Sequence, residues 1–583
     1  MLIFIKRSKD YKHYTLSDGN NQFNYTAEQV RQYLRVGNSV LGLSLRGNNA
    51  IMLTDVLNTA IKDKNIHLFD TFTGARLANH VRSELNGITS ARNFAIRVYN
   101  YLNTNKDSRI VGIAGLRGTG KTVGLLQCIK KLGCYNDIVL INITVSMSNT
   151  IDCAFLYDFI RTYCKDKYVF IDEATYIKGL ITDSAFFADC LKSEIRHLVF
   201  CGTDSLALHK CQWAALLHRI CIFNTTFVSY TEAKRTVNMT FNEYLHMGGL
   251  YKAQQLTSIE DVYSYIDTAV VQNILNTVQK NKAYFADRQV INDRNKLTAI
   301  VCTVLTAIVF KRVSDNASFS PDFITRAFYN ETESSTYDMS MLKSLVYDLF
   351  DIRIGTTFTN GEVLSVLSCL EELDLVVKLK HMGKGGNEYD YYIANQSMYN
   401  QLVSGIVTYL ESVVTERGDA ASIRTHFGFI VENVVAIHMY FAAKRAGYTC
   451  LFYRDRGNSE TKASREIDII VKKPLFVDSD DCEDAEYFLY EIKATNNPYG
   501  AVRRSRWLFV DCPMSNIPLS RKKIIYTGKP YVFNGYEPDF DYSSSKQPRE
   551  LLASIEKAAI GVELLSAEAL LQQLAIEDIW ADK

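Results

Sequence analysis

Residues 115–122, Gly115-Leu116-Arg117-Gly118-Thr119-Gly120-Lys121-Thr122, fit the pattern G-x4-G-K-[ST]. In such a loop successive backbone N–H groups point into one concavity at a helix N-terminus, where phosphate is received. The glycines let the chain curl tightly. Lys121 is expected to reach the β- and γ-phosphates, and Thr122 to hold Mg2+. The context agrees with the motif: an apolar run, RIVGIAG, leads in and a helix-patterned run, KTVGLLQCIKKL, leads out. This stretch predicts that residues 86–235 form a P-loop unit that binds a nucleoside triphosphate, ATP.

Working outward, the same region holds three more apolar runs, IVLINIT, YVFIDEA and HLVFCGTD. Continuous apolar strands with polar ends suit the centre of a parallel sheet covered on both faces, hence a doubly wound α/β fold. YVFIDEA ends in Asp172-Glu173. Asp172 is expected in the metal shell, and Glu173 is the candidate to polarise the attacking water. LVFCGTD ends in Thr203-Asp204, where Thr203 is placed to sense the γ-phosphate. Arg219, in LLHRICIF, is the arginine best placed by order to act as a finger; a surface arginine fits it as well.

Before this unit, residues 1–85 show short strand-like runs (LIFIKR, SVLGLSL, AIMLTDV), turn signals and one helix pattern, TAEQVRQYL. They read as a small α+β domain without evident chemistry. After it, residues 236–290 read as a helical connector. In 291–412 the helix pattern GEVLSVLSCLEELDLVVKL precedes HMGKGGNEYDYYIA, a Gly-rich turn between two strands, which suggests a winged helix. Lys378, Lys380, His381 and Lys384 lie on or beside that wing, where contact with DNA and packing between domains are equal readings.

Residues 413–583 carry a second chemical pattern. Asp468, in REIDIIV, and Glu491-Ile492-Lys493, in FLYEIKAT, fit D…E-x-K. Metal-dependent phosphodiester cleavage needs carboxylates that hold a divalent cation and a lysine that orients or activates water. Glu491 and Lys493 are two apart on a strand and share a face. Asp468 and Glu491 are expected on a hairpin with the acidic run 477–486 near its tip. Glu432, on the preceding helix FGFIVENVVAIHMYFAAKRAG, completes the expected metal set with Asp468 and Glu491. Arg503, Arg504, Arg506, Arg521, Lys522 and Lys523 form basic clusters downstream that suit backbone phosphates. Trp507 is read as a core residue.

Composition bounds the rest. A chain of 583 residues with 47% hydrophobic and 22% charged residues is ordinary globular protein. A net charge of +1 excludes binding to polyanions by bulk charge. The 13 cysteines show no C-x-x-C pair, which argues against zinc and a disulfide framework and for a reducing, cytoplasmic setting. The longest apolar run, Leu297–Phe310, is about 14 residues against the roughly 20 of a membrane span. It reads as a buried helix, and no membrane partner is expected.

The order of GLRGTGKT, VFIDEA, Gly202-Thr203-Asp204, FNEYLHMGGL, FIVENVV, EIDIIV and YEIKAT resembles bacterial and archaeal AAA-type ATPases that carry a winged-helix region and a C-terminal restriction-endonuclease-like domain. The likeness spans about residues 90–530. It implies ATP and Mg2+ in the first module and a PD-(D/E)xK fold in the last, with Mn2+ as an alternative metal there. Two departures stand out: Leu116 and Thr119 where relatives often have Pro and Val, and a longer insert between Asp468 and Glu491. The leading expectation is an ATPase coupled to a Mg2+-dependent nuclease acting on DNA, with RNA and homo-oligomerisation left open and genome defence or mobile-element processing a natural setting. The alternatives are a nucleotide-controlled switch or scaffold whose nuclease fold binds without cutting, and a regulator that binds DNA through the winged helix.

Overall fold

The computed structural model describes residues 2–7, 13–17, 22–26, 51–54, 70–104, 110–143, 151–191, 194–217, 219–250, 256–285, 293–315, 323–324, 337–352, 358–382, 389–417, 426–455, 465–475, 485–510, 512, 514–536 and 549–574. The expected helix after Thr26, the strand SVLGLSL, the Gly-rich turn with Lys384 and most of the acidic run lie outside them. The chain forms two compact units, residues 1–226 with 267–294, and residues 227–266 with 295–583.

In the first unit, β1 (Leu2–Arg7), β2 (His13–Ser17), β3 (Gln22–Thr26) and β4 (Ile51–Thr54) form an antiparallel sheet in the order β3-β2-β1-β4. The second sheet contains β5 (Asp70–Phe72), β6 (Ile110–Ala114), β7 (Ile138–Asn142), β8 (Tyr168–Asp172), β9 (His197–Cys201) and β10 (Ile220–Asn224). Its order is β10-β6-β9-β8-β7-β5, parallel except for β5. The four apolar runs read from sequence are β6 to β9; β5 and β10 extend the sheet at its two edges.

Alternate residues of the central strands supply two cores. Val139, Ile141, Val169, Ile171, Leu198 and Phe200 face one, and Ile138, Leu140, Phe170, Val199 and Cys201 face the other. A strand that is apolar at every position is stable only when both faces are covered, which is why these runs carry no polar alternation. Parallel strands also put all their C-terminal ends on one edge, where the polar motif residues begin.

In the second unit, β11 (Val376–His381), β12 (Tyr389–Ile393), β13 (Thr449–Asp455), β14 (Arg465–Pro474), β15 (Ala485–Lys493), β16 (Lys522–Tyr526), β17 (Tyr531–Val532) and β18 (Glu563–Ser566) form one mixed sheet, ordered β12-β11-β13-β14-β15-β16-β18-β17. The hairpin expected as a wing is therefore part of a larger sheet: β11 pairs antiparallel with β12 and parallel with β13. The helix Asn360–Glu372 before it starts in a capping box between Thr359 and Glu362, a device worth about 1 kcal/mol. The helix His426–Ala446 packs on the sheet through Ile430, Val431, Val434 and Ile437, with Ile469, Val471, Tyr490 and Ile492 opposite.

The apolar run at Leu297–Phe310 lies in the helix Arg294–Asp315. Among the described residues it is the one helix long and apolar enough to cross a membrane, and 89% of its apolar window is buried inside the fold.

Candidate functional site

The residues expected at the nucleotide stand at the C-terminal edge of the parallel sheet. β6 runs directly into the loop 115–120, and the helix Lys121–Leu132 starts at its end. Gly118 and Gly120 have φ of 85° and 71°, a left-handed conformation that any side chain would strain. Leu116 is buried, with 1% of its surface exposed, while Arg117 is exposed. Lys121 Nζ donates to the carbonyls of Gly115 (2.8 Å) and Leu116 (2.9 Å). Burial lowers the lysine pKa, and Glu173 and Asp172 pull it back up.

Three residues that sequence reading did not single out pin this loop. Thr119 and Thr225 share a hydroxyl hydrogen bond of 2.7 Å, and Leu116 N donates to Thr226 Oγ1 at 3.3 Å. Arg92 is buried and donates to the carbonyl of Thr119. The sequence signal for the threonines is their place directly after β10, on the same edge as the loop. For Arg92 no local pattern exists.

Asp172 and Glu173 follow from β8. Asp172 accepts from the Glu173 backbone N–H at 3.1 Å; burial raises its pKa and the Glu173 charge adds to it, while the nearby Cys201 thiol and Thr122 hydroxyl oppose the rise. Glu173 has φ of 56°, a strained conformation for a non-glycine residue. Its carboxylate accepts from the backbone N–H of Thr203 (2.9 Å) and from the Thr203 hydroxyl. The fold thus brings together all the residues expected around nucleotide: the loop 115–122, Asp172, Glu173 and Thr203. A Thr122 hydroxyl near the Asp172 carboxylate is a hard-oxygen pair that fits Mg2+.

Arg219 lies elsewhere. It precedes β10, and its carbonyl accepts from Ile110 N at 2.9 Å, at the start of β6. The loop follows the other end of β6, about 16 Å away at 3.3 Å per residue. Its guanidinium donates to the carbonyls of Leu216 and Ala215. Arg219 is thus no finger for the phosphate loop of its own chain.

The second unit gathers the other motif. β14 and β15 pair antiparallel, and Asp468 Oδ2 accepts from Ile492 N at 2.6 Å. Lys493 Nζ reaches both Asp468 (3.4 Å) and Glu491. Burial drives the Glu491 pKa well up, with Lys493 opposing; burial also disfavours the charged Lys493, but Asp468 and Glu491 outweigh it and hold its pKa up.

Glu432 departs from expectation. Its carboxylate pairs with Arg312, which also meets Asp390 at 2.8 Å. Arg454 joins Asp390 (3.6 Å) to Glu466. Burial pushes Glu432 up to about 7 despite Arg312. The physical reason is local: Arg312 is only 4% exposed, and a buried guanidinium requires a carboxylate partner. Among the described residues no three or more His, Cys, Asp or Glu side chains are grouped to hold a metal ion. The expected three-carboxylate set is therefore two carboxylates, each already facing Lys493, and it does not fit a metal held by protein groups alone.

The basic clusters are engaged in part: Arg504 is exposed and its Nε donates to the Gly500 carbonyl at 3.3 Å. Arg521 pairs with Glu486, Lys523 with Glu563 at 2.7 Å, and Lys522 is 7% exposed. Arg506 stacks 3.8 Å over the partly buried Trp507 ring. On the hairpin, Lys378 pairs with Glu371, and His381 Nε2 lies 2.8 Å from the Arg454 carbonyl oxygen and 3.0 Å from its backbone nitrogen. Lys380 is exposed.

Comparison with known proteins agrees with the first site. A family model described as an AAA domain matches residues 107–234, and this part of the chain is an AAA-type P-loop ATPase domain. No curated protein matches the chain. Among solved structures, Cdc6p from Pyrobaculum aerophilum is 13% identical, covering 59% of this chain and 96% of its own, with a TM-score of 0.18. The Aeropyrum pernix ORC1 protein in complex with DNA is 11% identical (54% and 93% covered, TM-score 0.19). The Thermotoga maritima RuvB Holliday junction branch migration motor is 14% identical (47% and 88% covered, TM-score 0.18). Superpositions this loose carry no weight beyond the family match.

Proposed function

We propose that the chain hydrolyses ATP with Mg2+ and uses the nucleotide state to control its C-terminal unit. The observation that carries this reading is the convergence of Lys121, Thr122, Asp172, Glu173 and Thr203 on one edge of a parallel sheet. In this reading Lys121 neutralises the β- and γ-phosphates. Thr122 and Asp172 hold Mg2+, which would screen the phosphate oxygens when bound. Glu173 polarises the attacking water once it leaves Thr203, and Thr203 then turns to the γ-phosphate. The test is ATP turnover by the full chain with Mg2+. Glu173→Gln is expected to lower kcat by about 10²-fold or more with nucleotide binding kept; an unchanged kcat would contradict the role.

A second reading rests on Asp468, Glu491 and Lys493, which meet on adjacent strands. That trio supports a nuclease-like, restriction-endonuclease-type module acting on DNA. Lys493 sits between both carboxylates, and Glu432 is committed to Arg312. These pairings favour the switch over a cutting enzyme: the fold binds nucleic acid or a partner under nucleotide control. Cleavage of single- or double-stranded DNA or RNA with Mg2+ or Mn2+, lost in Asp468→Ala, would reverse that order. Self-assembly of copies is compatible with either reading and is read by sizing with and without ATP.

A further inference from the structure

The helix Gln272–Lys280 belongs to the first unit although some 70 residues of chain separate it from β9. It presents Asn273, Asn276 and Lys280 at spacings of three and four, so all three lie on one face. That face grips the four residues that follow Gly202. Asn273 Nδ2 donates to the Thr203 carbonyl (2.8 Å) and to Ser205 Oγ (3.3 Å), while its Oδ1 accepts from Leu206 N (3.3 Å). Asn276 Nδ2 donates to Asp204 Oδ1 at 3.2 Å, and Lys280 Nζ donates to Asp204 Oδ2 at 2.8 Å. Lys280 Nζ also sits 3.9 Å above the ring of Tyr176, three residues beyond Glu173.

The grip is polar and buried. Asn273 is 1% exposed, and the Asp204 and Lys280 side chains are 4% and 18% exposed. An apolar face would attach a helix without desolvating an ion pair, so the polar stripe is better explained by what it fixes. It fixes Thr203, whose N–H and hydroxyl hold the Glu173 carboxylate. One residue is therefore anchored through its carbonyl to this helix and through its N–H and hydroxyl to Glu173.

The ends of the segment are tied together as well. Arg294 donates to Asp267 through Nε (2.9 Å) and NH2 (2.6 Å), and through NH1 to Gln272 Oε1 (2.7 Å). The chain passes into the second unit at both ends of this segment, before Asp267 and after Arg294. The first passage falls at a π-helical turn, Ile266–Val271, an irregularity found often at functional positions.

We propose that Asn273, Asn276 and Lys280 are positioning residues for ATP hydrolysis, and that the clasped segment 267–294 reports the state of the Thr203–Glu173 pair along the chain. This rests on the ATPase reading of the loop 115–122. When Glu173 leaves Thr203 to act on water, Thr203 is free to turn, and its carbonyl anchor makes the helix 272–280 respond.

The test uses the full chain. Lys280→Met is expected to lower kcat for ATP at least tenfold with KM within twofold, and Lys280→Arg to restore kcat to within threefold. Hydrogen exchange on the wild type needs no substitution: amides 272–280 are expected to exchange at different rates with ADP and with a non-hydrolysable ATP analogue, a difference that Asn273→Ala abolishes. An unchanged kcat in Lys280→Met, or equal exchange with both nucleotides, would overturn the inference while leaving the ATPase reading intact. A wild type that neither binds nor hydrolyses ATP would overturn both.

Discussion

The two polar sites handle their charges in opposite ways. At the candidate nucleotide site, Asp172 and Glu173 are held by neutral donors: the Thr203 hydroxyl and the backbone N–H groups of Glu173 and Thr203. Lys121 is held by two carbonyls. Its charges are positioned without being neutralised, so a polyphosphate with its metal can complete them. In the C-terminal unit, Glu432, Glu466, Asp468 and Glu491 all face Arg312, Arg454 or Lys493. There the protein supplies its own counter-ions. A constellation assembled from the expected residue types is thus open to a ligand in one unit and closed on itself in the other, and spacing in the sequence does not distinguish the two.

This contrast is broken most directly by removing a counter-ion. Arg312→Ala leaves Glu432 buried without its guanidinium and Asp390 with only the longer Arg454 contact, and the expected loss of stability is about 3–5 kcal/mol, read by denaturant unfolding. A loss below about 1 kcal/mol would mean that the network is not closed. At the candidate nucleotide site the matching change, Asp172→Asn, keeps an oxygen that can accept from the Glu173 N–H and leaves no cation unpaired. It is expected to change stability by less than about 1 kcal/mol while weakening Mg2+-dependent turnover.

Acid sharpens the comparison further. His438 is fully inside the second unit; its Nδ1 donates to the Val434 carbonyl (2.8 Å) and its Nε2 accepts from Tyr230 N (3.0 Å). That pattern fits a neutral ring, and burial lowers its pKa to about 4. The unfolded chain binds this proton below about 6.5, whereas the folded chain resists until about 4. Stability from His438 is therefore present above pH 6.5 and lost on acidification, by at most about 1.4 kcal/mol per pH unit. Glu432, raised to about 7, acts with the opposite sign: its folded form gains protons first, so stability falls as pH rises from about 4.5 to 7. His438→Gln should therefore gain on the wild type between pH 8 and pH 5, as measured by unfolding at each pH. No change in that difference would mean that the ring takes up its proton in the fold as readily as in the unfolded chain.

The smallest effect is expected where the loop is merely steadied. Thr225→Val removes the hydroxyl bond to Thr119 and is expected to cost about 1 kcal/mol, with a few-fold rise in KM for ATP. A loss of turnover as deep as that of Glu173→Gln would move Thr225 from support to chemistry.

What the sequence made legible was local. The strand–loop–helix around GLRGTGKT, the strand end at Asp172-Glu173 and the E-x-K strand are each contained in about ten residues, and backbone geometry alone places their side chains. Groupings made across the chain were not legible. Thr225 reaches the loop from over 100 residues away, and Arg312 emerges from an apolar run that reads as plain core. Glu432 was expected at a metal because its helix precedes the right strands, yet Arg312, 120 residues earlier, takes its carboxylate. The hairpin β11–β12 carried the local pattern of a wing, and its pairing with β13 is a property of the sheet as a whole. The polar stripe at Asn273, Asn276 and Lys280 falls in a stretch read only as a helical connector, and nothing local says which strand it meets.

The most direct test of the central claim is thermal unfolding of the full chain with ATP and Mg2+, beside ATP turnover, for wild type and Lys121→Ala. The account predicts a ligand-dependent rise in stability, about 2.7 kcal/mol at a hundred times Kd, together with steady turnover, and both lost in Lys121→Ala. A wild type that gains no stability from ATP and Mg2+, or a Lys121→Ala variant that gains as much and turns over as fast, would contradict it.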